Sequence, residues 1–226
     1  PSLQSCQSHQ FSFKNLMKRT LPKTVINMTG AESTRLPAVN DALRPLVAEY
    51  IKVASDAFIL PKFGNLQAAD IDVKTGPHDL VTVADRAVES WLAPLLQDLQ
   101  GGHCIGEEAV AETPELRQYA GDGYAWSIDP LDGTNNFVNG VSDFCSMVAL
   151  MWNGVPLQCW IWLPVKHELY YAAAGSGAFC YHDTSVTSLQ ISQPPVDPDV
   201  MRGSGNTKGL EEPYKSAVLR RMRNIA

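Results

Sequence analysis

The chain has 226 residues, with 24 Asp plus Glu against 18 Lys plus Arg, a formal charge of −6, and 45% hydrophobic residues. That supplies the core of one large domain or two small ones, and the acidic surplus argues against a nucleic-acid partner, because backbone binders carry a basic excess that displaces counterions. No stretch reaches the roughly 18 uninterrupted apolar residues of a membrane span; the most hydrophobic run, 141–165, is broken by Asp143, Asn153, Gly154, Pro156 and Gln158.

Residues 1–31 lack Asp and Glu, hold Lys14, Lys18, Arg19 and Lys23, and contain no apolar core of a secretory signal. Residues 1–35 therefore read as a disordered or artefactual extension, with a targeting segment as the weaker alternative and Met17 or Met28 as a start. From Asn40, apolar Leu43, Leu46, Val47, Tyr50, Ile51, Ala54 and Phe58 recur at helical steps, and Pro45 implies a late start or a bend. Val88, Leu92, Leu95, Leu96 and Leu99 share the face of a second helix, with Pro94 a candidate kink and Gly101-Gly102 a stop.

The period then shortens to strand-like runs at 104–105, 124–128, 144–152, 155–163 and 168–173, with Asn153-Gly154 as a hairpin turn. Helices followed by an antiparallel meander predict stacked layers of helix and sheet over 36–192. From Gln193 the chain turns loop-like before a helical pattern over 210–222. The 203–209 glycine stretch lacks the G-x-x-x-x-G-K-[ST] order of a phosphate loop. Five cysteines (Cys6, Cys104, Cys145, Cys159, Cys180) without CxxC spacing read as free thiols in a reducing, cytoplasmic setting, with a disulfide or zinc set as the less favoured reading.

The chemistry concentrates in Asp129-Pro130-Leu131-Asp132-Gly133-Thr134. Pro130 disfavours helix at Asp129, so the first carboxylate is expected to leave a strand end into a turn, with Asp132 three residues on. Two carboxylates in a tight turn repel unless a cation neutralises them or one stays protonated, and Mg²⁺ favours such oxygens together with water and phosphate. Gly133-Thr134 would let backbone N–H groups approach an anion where a helix begins. The same residues also make ordinary Asp-Pro and Asp-Gly turns. Glu107 and Glu108 follow a short run and sit at another strand end, though adjacent Glu residues are often a solvated pair. Asp85 opens the second helix, where it also meets the helix dipole.

Together, Thr82-x-x-Asp85, Gly106-Glu107-Glu108 and Asp129-Pro130-Leu131-Asp132-Gly133-Thr134-x-Asn136-Phe137 resemble the inositol monophosphatase family of Mg²⁺-dependent, lithium-sensitive phosphatases. The likeness runs over 74–192 and includes Gly175-x-Gly177-Ala178-Phe179. It implies an α/β (α+β layered) fold, the alternating α-β-α-β-α sandwich of sugar phosphatases, here with its second half incomplete and 193–226 as the start of the C-terminal part. By similarity, Glu107, Asp129 and the Leu131 carbonyl would hold one Mg²⁺, and Asp129 and Asp132 would help hold a second, within a set of two or three ions. Glu107, Leu131, Asp132, Gly133 and Thr134 would meet the substrate, Asp85, Glu107 and Thr134 would activate water, and Lys74 would lie nearby.

The implied reaction is hydrolysis of a small phosphorylated polyol, foremost inositol monophosphate. Asn136-Phe137 resembles the inositol branch, whereas bisphosphate nucleotidases tend to show Lys-Glu-Phe there. Histidinol-phosphate and 3′(2′),5′-bisphosphate nucleotide phosphatases remain alternatives, as does a non-catalytic scaffold. A homodimer is expected for the complete protein, with neither membrane nor nucleic acid as partner. The family's C-terminal Trp-Asp-x-Ala is absent, since none of the five tryptophans precedes Asp. A fragment of a full enzyme, or else a truncated form, with a poor second metal site and slow turnover is the resulting expectation.

Overall fold

The computed structural model describes residues 36–73, 80–191 and 211–223. The N-terminal extension, Lys74 and the 203–209 stretch lie outside the described residues.

Helix α1 (Leu43–Ala54) buries Leu43, Val47, Ile51 and Ala54 along one side, as the periodicity requires. It does not start late, because Pro45 falls in the first turn, where a backbone N–H has no helical partner to lose. A π-helical turn, Ser55–Ile59, follows it. Strands β1 (Ile71–Val73) and β2 (Leu80–Thr82) pair antiparallel and lead into α2 (Val83–Gln100). Helix α2 continues past Pro94, buries Val88, Leu92 and Leu96, and stops at Gly101 with φ 72°.

The main sheet runs in the order β3 (His103–Gly106), β4 (Tyr124–Asp132), β5 (Cys145–Trp152), β6 (Val155–Leu163), β7 (Glu168–Ala173), β8 (Gly177–His182), β9 (Ser185–Leu189). Neighbours from β4 to β8 are antiparallel, but β3 lies parallel to β4. This departs from the pure meander. A crossover is needed to bring the chain back in the same direction, and it is formed by α3 (Glu107–Glu112) and the 3₁₀ stretch Pro114–Gly121. At the β5–β6 turn, Asn153 and Gly154 take φ 47° and 79°, the left-handed pair that a two-residue hairpin favours.

One face of this sheet carries Trp126, Ile128, Val148, Leu150, Trp160, Trp162, Leu169 and Tyr171 into a common core with α1 and α2. The buried indoles also tie the layers together. Trp126 donates to the Gly101 carbonyl at 3.2 Å, at the end of α2 where carbonyls lack helical partners, and Trp160 donates to the Arg44 carbonyl at 3.1 Å in the first turn of α1. The result is a mixed α/β fold with helices packed on a mixed sheet. The chain divides into two compact units at Ser188/Leu189; the second contains helix α5 (Tyr214–Arg223). Among the described residues, no helix is long and apolar enough to cross a membrane.

Candidate functional site

The site begins at the N-terminus of α2. Thr82 caps this helix, its hydroxyl accepting from the Ala84 N–H at 3.2 Å. Asp85 closes the capping box: its Oδ2 accepts from the Thr82 N–H at 2.8 Å and the Thr82 hydroxyl at 2.6 Å. The helix-end role foreseen for Asp85 is therefore real, but it uses one oxygen. Oδ1 faces the Thr134 hydroxyl at 3.4 Å. Asp85 is only 1% exposed, and burial raises its pKa against the lowering effect of the Thr82 hydrogen bonds, with the Glu107 charge adding to the rise.

Strand β4 supplies the next pair of carboxylates, by a route the sequence did not indicate. The chain does not turn at Asp129-Pro130; β4 continues to Asp132. Asp129 pairs with Met147 and Asp132 with Cys145, so Pro130 and Leu131 together oppose Ser146 in a bulge. Proline has no N–H for the ladder and is tolerated there. In a regular strand, residues three apart point to opposite faces. The extra residue of the bulge brings Asp132 onto the same face as Asp129. The buried Ser146 hydroxyl holds this geometry, donating to the Pro130 carbonyl at 2.7 Å.

Asp129 consequently lies in the field of two other carboxylates. Burial, Glu107 and Asp132, in that order, push its carboxyl up to about 7 from an ordinary 3.8. A hydrogen bond with Glu107 contributes to the rise. Asp129 Oδ1 is buried without a hydrogen-bond partner.

Gly133 follows with φ 88°, a left-handed conformation that opens the short helix α4 (Thr134–Val138). A Cβ there would lie 2.9 Å from the Asp143 carbonyl oxygen and 3.2 Å from Phe144 Cα, so this glycine is also required by its neighbours in the chain. The Thr134 hydroxyl donates to the Leu131 carbonyl at 2.9 Å, the nearer of its two acceptors. Glu107, exposed, is the first residue of α3, whereas Glu108 is only 8% exposed and is no solvated surface partner.

The structure thus brings Asp85 to Thr134, Thr134 to Leu131, and Asp129 between Glu107 and Asp132. Among the described residues, it does not gather three His, Cys, Asp or Glu side chains into a ready ion cage. The donors present nonetheless suit a hard divalent ion, being carboxylate and peptide oxygens with one orphaned carboxylate oxygen among them. The four described cysteines are free, and Cys145 stands at the rim, 3.9 Å from Asp132, its thiol pushed up to about 12 mainly by burial.

Sequence reasoning missed Glu89 and Ser146. Glu89 carried a detectable signal: it occupies the apolar stripe of α2 between Asp85 and Leu92, a poor place for an acid unless it is engaged. It is 8% exposed and accepts from the N–H groups of Glu108 at 2.8 Å and Ala109 at 2.9 Å. Ser146 carried no signal, because its partner is a carbonyl created by the bulge.

A layered α/β fold with an all-oxygen acidic rim defines a candidate metal-assisted phosphoester site. The chain belongs to the inositol monophosphatase family, whose family model matches residues 42–218. It is 39% identical over 132 residues to a histidinol-phosphatase of Mycobacterium tuberculosis, covering 57% of this chain and 47% of that protein. It is 34% identical over 125 residues to an inositol-1-monophosphatase of Bacillus subtilis, covering 55% and 45%. The solved IMPase of Thermotoga maritima superposes with a TM-score of 0.55 at 25% identity, over 67% of this chain and 54% of that one. The chain spans about half the length of the curated relatives it matches.

Proposed function

We propose that this chain belongs to a divalent-cation-dependent phosphatase that hydrolyses a phosphate monoester of a small polyol, with inositol monophosphate as the leading substrate. The observation that carries this reading is Asp129, held between Glu107 and Asp132 with one buried oxygen lacking any partner. Three acids so placed destabilise the protein unless a cation compensates them.

Glu107, Asp129, Asp132 and the Leu131 carbonyl would hold Mg²⁺. When bound, the ion polarises the phosphoryl group and makes water a stronger nucleophile at neutral pH. The remaining work falls to the chain. The Thr134 hydroxyl has a single proton and two acceptors, the Leu131 carbonyl and Asp85 Oδ1. With the carbonyl engaged elsewhere, the hydroxyl would donate to Asp85 Oδ1 and accept a hydrogen bond from the attacking water, so that as the water's proton moves to Thr134 Oγ the hydroxyl's own proton passes to the Asp85 carboxylate. Asp85 Oδ2 is fixed by Thr82, so Oδ1 is oriented before any substrate arrives. Gly133 and Thr134 present first-turn N–H groups to the phosphate oxygens.

The test is phosphate release from inositol 1-phosphate, histidinol phosphate and a 3′,5′-bisphosphonucleotide, with and without Mg²⁺, by the chain and by Asp129→Asn. Histidinol phosphate has its place because the Mycobacterium relative named for it is the more identical of the two. Mg²⁺-dependent release that Asp129→Asn abolishes supports the reading. Release that ignores both Mg²⁺ and the substitution overturns it.

A further inference from the structure

We propose that Glu89 is a positioning residue for the acidic site, its buried carboxylate gripping the start of α3 from α2 so that Glu107 is presented to Asp129; this rests on the cation-site reading above. Helix α3 has no cap of its own, because Gly106 stands at its N-cap position and offers no side chain. The two N–H groups that a local cap would serve, those of Glu108 and Ala109, are taken by Glu89 Oε2 and Oε1 across 19 and 20 residues of sequence. Gly106 is part of the same arrangement. Its own φ is −87°, so the backbone does not need glycine there, yet a Cβ would run into the Glu89 carboxylate.

A Ser or Asp at position 106 could cap α3 locally without burying a charge far from its own segment. What a local cap could not do is tie α3 to the helix that bears Asp85. Asp85 and Glu89 are one turn apart on α2, and through Glu89 that rigid helix fixes where Glu107 begins. Groups behind the ligands of a metal site orient those ligands, and their removal costs about 10- to 100-fold in metal affinity. Glu89 has that relation to Glu107.

The test is Mn²⁺ titration of the whole chain, read from the free-ion electron paramagnetic resonance signal, alongside hydrogen exchange of the Glu108 and Ala109 amides. In the wild type both amides should be protected; exchange at the rate of an open peptide would overturn the proposal without any variant. Glu89→Gln keeps one acceptor but turns an NH₂ toward the other N–H, and should weaken Mn²⁺ binding about 10- to 100-fold while releasing those amides. Gly106→Ala attacks the same contact from the other side and should do likewise. Glu89→Ala should weaken binding at least as much as Glu89→Gln, and its loss and that of Gly106→Ala should not add in Glu89→Ala/Gly106→Ala, where the added methyl meets no carboxylate. Val88→Ala, which empties core volume next to Glu89, separates positioning from general stability and should leave the Mn²⁺ affinity within about twofold. Variants that fold and bind Mn²⁺ as the wild type does would refute the role of Glu89 alone. A wild type that takes up no Mn²⁺ would refute the cation reading itself, and the proposal with it.

Discussion

Asp129→Asn should make the ion-free protein more stable while removing its response to divalent cations. The Asp129 carboxyl titrates at about 7 in the folded chain against an ordinary 3.8. An acid whose folded value is raised favours folding in its protonated form. Its ionisation therefore costs stability progressively as pH rises from about 4 to about 7, with the full cost present above that. The full span corresponds to about 4 kcal/mol; solvent at this half-buried rim screens the repulsion, and about 2 kcal/mol is the expected remainder at pH 8. Asn keeps the shape and removes the charge. Denaturant unfolding without divalent ions should accordingly place Asp129→Asn about 2 kcal/mol above the wild type at pH 8, with the two curves meeting below about pH 4. Added Mg²⁺ should then raise the wild type by mass action and leave the variant where it was. A variant less stable than the wild type at pH 8, or one that gains as much from Mg²⁺, would refute the crowding argument.

Gly133→Ala combines a left-handed backbone with a Cβ that meets Asp143 and Phe144; a loss of about 2 kcal/mol or more in chemical unfolding is expected, and a loss under about 0.5 kcal/mol would show that the turn yields freely. Ser146→Ala leaves the Pro130 carbonyl without its donor, so stability should fall by about 1–2 kcal/mol, with Mn²⁺ binding weakened as the bulge relaxes; an unchanged unfolding midpoint would contradict this. Thr134→Val retains the side-chain outline but neither donates to Leu131 nor accepts a proton, so phosphate release should drop at least about 100-fold with Mn²⁺ binding largely kept. Equal loss of binding and release would assign Thr134 to the ion rather than to water.

Much of this fold was legible because the relevant signals are local. The stripes of α1 and α2 and the Asn153-Gly154 turn follow from spacing and backbone preference at the positions themselves. Strands β1 and β2, three residues each, were too short to show a period. Helix α3 was hidden because its cap comes from Glu89 rather than from its own sequence. The parallel pairing of β3 was hidden with it, since without α3 and the 3₁₀ stretch the chain has no visible crossover. At the site, candidate residues could be named from the sequence, but the geometry that joins them could not. Asp129-Pro130 signals a turn locally, yet a strand with a bulge forms, because Ser146 holds the Pro130 carbonyl from another strand and the ladder resumes at Asp132.

The buried acids show how fold and chemistry share residues here. Asp85 caps α2 with one oxygen and faces Thr134 with the other, and Glu89, one turn later, caps α3. Each replaces an apolar residue on the stripe that buries Val88, Leu92 and Leu96. A core built only for stability would place a hydrophobic side chain at both positions, since buried carboxylates recover their desolvation cost only through the hydrogen bonds that satisfy them. Both acids accept from backbone N–H groups at helix starts, which offsets part of that cost, although burial still leaves both carboxyls raised. Asp129 is the exception. Its carboxylate neighbours are Glu107 and Asp132, its backbone hydrogen bond from Leu131 is the smallest influence on it, and one of its oxygens has no partner, so a proton or an ion would supply most of the compensation that Asp85 and Glu89 draw from the fold. On the proposed reading, that asymmetry would put the cation at the β4 bulge and leave the two α2 acids to hold and orient what surrounds it.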